Sequence, residues 1–179
     1  MSRSANSTHW ADGVHETFKA HRVEMVPFVP DSGLKRLIEL CQAAPDINAV
    51  TLTTEEEGIA LAAGAYLGGK RSALLMQSSG VGNCINMLSL PNICNMPLFM
   101  LITMRGEWRE FNPWQLPMGQ STPIILKASG MIVQRVNSAN EVCPTVEAAM
   151  KLAFDSRCRV AVLLSQKMIG PKHFTEGAK

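Results

Sequence analysis

Charged side chains are scarce in these 179 residues, 18% against the roughly 25% usual for a soluble domain, while hydrophobic residues reach 46%. So little charge leaves apolar surface uncovered, and a partner chain over part of it is expected. Basic residues never run longer than a pair and the net charge is +2, so the electrostatic footprint of a nucleic-acid or anionic-membrane binder is missing. No stretch reaches the ~20 consecutive apolar residues of a membrane span. The small, polar start Met1-Ser2-Arg3-Ser4-Ala5-Asn6-Ser7 has no apolar run behind it, which gives no secretory signal. The cysteines Cys41, Cys84, Cys94, Cys143 and Cys158 are odd in number, form no C-x-x-C and have no histidine at ligand spacing. Reduced thiols, a cytoplasmic setting and no metal bound by this chain are expected. His9, His15, His21 and His173 all lie near the termini, which excludes a triad hydrolase.

What is present alternates. Short β-rich apolar runs are separated by helix-length segments, the pattern of a parallel sheet covered on both faces. The fold class expected is therefore α/β, a three-layer α/β/α arrangement with a mainly parallel six-stranded sheet. The strands are read at Met25–Val29, Ile47–Leu52, Ser72–Met76, Leu98–Thr103, Met131–Val136 and Val160–Leu164, and helices at 10–21, from 34, from 54 to Gly68-Gly69, 80–90, 118–129 and 139–156. Asp31 or Ser32 is expected to cap the second helix, and Thr54 with Glu57 to form a capping box on the third. One domain is expected over residues 10–168, between a flexible N-terminus, 1–9, and a polar tail, 169–179.

In open α/β sheets ligands bind beyond the carboxyl ends of the strands, so four loops carry the interest. Val29-Pro30-Asp31-Ser32-Gly33 reads on its own as a turn and cap. Glu55-Glu56-Glu57-Gly58 opens a helix of small apolar residues; helix-dipole complementation explains it, and so does a carboxylate aimed at a ligand. Gln77-Ser78-Ser79-Gly80-Val81-Gly82-Asn83 lets backbone approach a ligand but lacks the spacing of dinucleotide or P-loop fingerprints. Arg105-Gly106-Glu107 puts a guanidinium at a strand end, either for an anionic ligand or for an ion pair with Glu107 or Glu110. The aperiodic stretch 105–119, with two Trp and two Pro, has the character of a functional loop.

Taken together these loops resemble a family. Glu56, Gly58 two residues on, a small-residue helix with Tyr66 ten residues on, a strand, and then Ser79-Gly80-Val81-Gly82-Asn83 resemble the pyrimidine-binding domain of thiamine diphosphate enzymes. Val29 to Ser32, Met76 to Asn83 and Arg105 to Glu107 are similar to motifs of sulfopyruvate decarboxylase alpha subunits and of the corresponding half of phosphonopyruvate decarboxylases. The resemblance covers about residues 10–165. It implies a catalytic Glu56 that hydrogen-bonds the cofactor's aminopyrimidine in a water-poor site, with Gly80, Gly82 and Asn83 beside the cofactor. It further implies Ser32, Gln77, Ser78 and Ser79 along the substrate, and Arg105 as anchor for a terminal anion. The reaction implied is decarboxylation of a 2-oxo acid to an aldehyde. The Gly-Asp-Gly motif that holds magnesium and the diphosphate in this family is absent. The resemblance thus implies a hetero-oligomer whose separate beta subunit grips the diphosphate and Mg2+. Two other readings stay open: a non-catalytic homolog serving as a binding or assembly module, and a thiamine diphosphate lyase or ligase that joins carbonyl compounds.

Overall fold

The computed structural model describes residues 9–171; the expected flexible segment 1–8 and most of the polar tail, 172–179, lie outside the described residues. Seven parallel strands form one sheet: β1 (Val23–Phe28), β2 (Asn48–Thr51), β3 (Arg71–Ser72), β4 (Leu74–Gln77), β5 (Leu98–Thr103), β6 (Ile132–Val136) and β7 (Arg159–Leu164). Their spatial order is β2-β1-β4-β5-β7-β6, with β3 alongside β1. The six expected strands are all present. The expected strand over 72–76 divides, because the register against β1 shifts between Val23 and Met25 and detaches β3 as a two-residue step.

Period-two alternation sorts each strand between two cores. Phe99 and Leu101 of β5, with Val160 and Val162 of β7, face α1 (Trp10–Ala20), α2 (Lys35–Ala43) and α7 (Ala139–Asp155). Leu98, Met100 and Ile102 face the opposite way, toward α3 (Glu55–Leu67), α4 (Ser78–Cys84) and α6 (Leu116–Ala128). Three layers result. β5, buried at all six positions, is the central strand. The amphipathic spacing on α1 buries Ala11, Val14 and Phe18, with the Phe18 ring set edge-on to Phe99.

Two local expectations are corrected. The single helix over 80–90 is two, α4 and a short α5 (Ser89–Ile93). Neither Asp31 nor Ser32 caps α2, whose N-cap is Leu34 without a side-chain bond; the Asp31 carboxylate is drawn elsewhere, as described below. A one-turn helix not read in the sequence, α8 (Gln166–Ile169), follows β7. Thr54 and Glu57 do form the capping box of α3, and α6 runs through Pro123.

The crossover from β1 goes outward to β2, and the next returns past β1 to β4. The switch in direction therefore falls between β1 and β4, and the loops after their carboxyl ends lie side by side there.

Candidate functional site

At that switch point three strand ends are tied by one carboxylate. Asp31 Oδ2 accepts from the Thr103 hydroxyl at 2.8 Å and from the Gly33 amide at 3.1 Å, and Oδ1 accepts from Gln77 Nε2 at 3.0 Å. The Gln77 carbonyl oxygen in turn accepts from Ser79 Oγ at 3.0 Å. Asp31 is buried, and three donors on one carboxylate are the kind of satisfaction a buried charge requires. This hub was not singled out in the sequence, where Asp31 reads as an ordinary turn residue. Beside it opens a cleft of about 540 Å3 whose walls include Asp31, Ser32, Lys35, Arg36 and Arg105. Ser32 is exposed in the turn before α2.

The three glutamates of α3 part company because consecutive helical residues point about 100° apart. Glu57 turns back over the helix start, its Oε2 accepting from the amides of Thr53 at 2.9 Å and Thr54 at 3.4 Å. Glu55 turns inward and is buried, accepting from Asn83 Nδ2 at 2.7 Å. Gly80 makes room for it: a Cβ there would strike the Glu55 side chain. Glu56 turns outward, exposed, and makes no hydrogen bond or ion pair among the described residues. The water-poor setting expected for Glu56 is therefore not supplied by this chain. Burial of Glu56 needs a second surface. Burial, with the nearby charges of Glu55 and Glu56 adding to it, pushes the Cys84 thiol up to about 12, so it is no nucleophile at neutral pH.

Other expected site residues have structural occupations. Ser78 is fully buried; its hydroxyl accepts from the Arg105 amide at 3.0 Å and its carbonyl from Thr122 Oγ1 at 3.2 Å. The Arg105 guanidinium is not free for a ligand's bidentate anion. Its Nε donates to Glu110 Oε2 at 2.6 Å and its second nitrogen to Glu110 Oε1, with side chains only 8% and 2% exposed. Hydrogen bonding from Arg105 holds the Glu110 carboxyl down at about 2, against the opposing effect of burial. Glu107 is taken by Arg135 instead, through two contacts of 2.6 Å. Gln166, 1% exposed, completes the loop: its carbonyl oxygen accepts from the amides of Glu107 and Trp108 at 2.9 Å and its Nε2 donates to Glu110 at 2.8 Å. Gln166 carried no motif by which the sequence could have shown it. The stretch after β5 is therefore a clamped loop. No group of three or more metal-binding side chains occurs among the described residues, and none of their helices is long and apolar enough to cross a membrane.

No protein-family model matches the chain. It is similar to the sulfopyruvate decarboxylase subunit alpha of Methanococcus maripaludis, 34% identical over 155 residues, covering 86% of this chain and 93% of that one. It is similar also to the phosphonopyruvate decarboxylase of Streptomyces viridochromogenes, 31% identical over 159 residues, covering 87% of this chain but 40% of the longer enzyme. Among solved structures, a 2-oxoglutarate:ferredoxin oxidoreductase from Magnetococcus marinus superposes with a TM-score of 0.72 at 18% identity, over 90% of this chain and 29% of its own. That likeness concerns the fold.

Proposed function

Since the chain belongs to the family of sulfopyruvate decarboxylase alpha subunits and phosphonopyruvate decarboxylases, we propose that it is the pyrimidine-binding subunit of a thiamine diphosphate dependent 2-oxo acid decarboxylase. The observation that carries this reading is the state of Glu56. Of three adjacent carboxylates, one caps the helix, one is pinned to Asn83, and Glu56 faces outward with no hydrogen bond or ion pair among the described residues. It stands at the start of a helix that is apolar on nearly every side, one residue after Glu55, whose side chain packs against Gly80 of α4. Its acceptor-only chemistry fits the ring N–H that an aminopyrimidine presents in its imino form.

When bound, thiamine diphosphate supplies a carbon nucleophile and a cationic ring that takes up the electron pair released as carbon dioxide leaves. This chain's residues hold and screen. Glu56 would accept a hydrogen bond from the pyrimidine's ring N–H, and its charge would favour the tautomer in which that nitrogen carries hydrogen. Glu55 fixes Asn83 and fills the space left at Gly80, and would so set a wall for the pyrimidine. On the substrate side the Ser32 hydroxyl, the Gln77 amide and Ser79 line the loops that Asp31 ties together, while Ser78 acts through its hold on Arg105.

The domain spanning residues 10–168 would then be half of a catalytic unit. A companion subunit would hold the diphosphate and its Mg2+, for which these 179 residues carry no Gly-Asp-Gly grip, and it would cover Glu56 and raise the field at the site by excluding water. The relative's designation as a subunit alpha supports such a partner.

The test is to purify the chain with a candidate companion subunit, then measure bound thiamine diphosphate and carbon dioxide release from a panel of 2-oxo acids. Glu56→Gln is expected to remove at least about a hundredfold of turnover while the circular dichroism spectrum and melting temperature stay those of the parent. Parent-like turnover in that variant would refute the assignment of Glu56; failure of any companion to confer cofactor binding would refute the decarboxylase reading.

A further inference from the structure

The cleft beside Asp31 holds a cation whose charge is not spent on the fold. Among the described residues lining it, Arg105 is locked to Glu110 inside the protein. Arg36 grips Asp12 with two nitrogens, both within 3.1 Å. His9 uses Nδ1 as an acceptor for the Ala11 amide. Lys35 differs from all three. Its ammonium has one loose contact, 3.8 Å to Glu39, with both side chains open to water at 74% and 59% exposure. It lines both the cleft and the adjoining hollow next to Ser32, three residues before it in sequence.

We propose that Lys35 is the residue that selects a 2-oxo acid bearing a second, terminal anion, such as a sulfonate or phosphonate. The inference rests on the decarboxylase reading above. Ser32, on the substrate side in the proposed function, lines both hollows, and Lys35 follows three residues later on the same lining. A short acid whose carboxylate end is held near Ser32 projects its tail toward that ammonium. An ammonium is a point charge on a flexible stem, suited to a tetrahedral anion that can be approached from several directions. The neighbouring Glu39 provides the discrimination. It repels an anion unless Lys35 swings from it to the ligand, so the ion pair opens only when a terminal charge is there to replace it.

The experiment uses the complete assembly with its cofactor. The specificity ratio, kcat/KM for sulfopyruvate divided by kcat/KM for 2-oxobutanoate, is measured in the parent, Lys35→Met and Lys35→Arg. The ratio is expected to fall about tenfold or more in the Met variant and to be largely restored by Arg, the loss lying mainly in KM. As a readout without turnover, calorimetric binding of 3-sulfopropanoate, which has no reactive carbonyl, is expected to weaken by a similar factor in Lys35→Met. A parent that prefers the sulfonate-bearing acid, together with an unchanged ratio and unchanged binding in Lys35→Met, would overturn the role of Lys35. A parent that releases carbon dioxide from neither acid would instead overturn the decarboxylase reading.

Discussion

Glu55, Glu56 and Glu57 share one side-chain chemistry and differ only in azimuth around α3, yet each has a different environment. Their differences make separable predictions. Removing Glu55 strands the Asn83 amide and opens a gap beside Gly80, so Glu55→Ala is expected to lower stability by about 1–3 kcal/mol, read as a fall in melting temperature. Glu56→Gln is expected to leave it untouched. Should Glu55→Ala melt like the parent, the Asn83 contact contributes nothing to the fold. The register Glu56, Gly58, Tyr66 was legible in sequence because it is a pattern of identities. The partner of Glu55 was not, because a 2.7 Å bond to Asn83 joins residues 28 positions apart and depends on how α3 and α4 pack. The same holds for Asp31, a turn residue by composition and a buried hub by position.

At the scale of elements, the loop after β5 and the helix α8 form one clamped unit through Arg105, Glu110 and Gln166. Glu110 has a depressed pKa, about 2 against an ordinary 4.5. A carboxylate whose folded pKa is lowered stabilises the folded state above its unfolded pKa and stops doing so as pH falls. The clamp is therefore expected to be intact at neutral pH and to weaken between about pH 4.5 and pH 2, detected by the fluorescence of Trp108 and Trp114. In Glu110→Gln the buried Arg105 loses its counter-charge, which costs on the order of 3–5 kcal/mol, and the acid limb of the stability curve flattens. A parent and variant with the same acid limb would remove Glu110 from the account. Sequence reading recognised an aperiodic functional stretch here and weighed Glu110 as a partner for Arg105. The resemblance assigns the arginine to a ligand's anion; the third member of the clamp, Gln166, follows β7, 61 residues after Arg105, where nothing local in the sequence ties the two together. The strands and their two-sided burial were legible because a short continuous apolar run is a local signal; the break between α4 and α5 was not, since apolar residues continue across it.

The whole molecule presents apolar side chains to solvent on the helical layers: Trp114 is 83% exposed, Ile93 81% and Ile124 69%. Low charge content foretold such surface; where it lies could not be read from composition. Because Glu56 is also outward, catalysis under the proposed function belongs to a contact between chains. A mixture in which Glu56→Gln chains outnumber parent chains is expected to lose activity roughly in proportion to the fraction of companion subunit captured by the variant. Activity that stays constant as the variant is titrated in would show that the two do not compete for one partner.

The outward Glu56 also bears on how such an enzyme is switched off. Under the proposed function, a chain whose key carboxylate is solvated when alone would be harmless in excess, unable to act on stray 2-oxo acids before a companion subunit is made. Dilution alone, with every chain still folded, would then silence the activity, and an imbalance in synthesis of the two subunits would set the ceiling on flux.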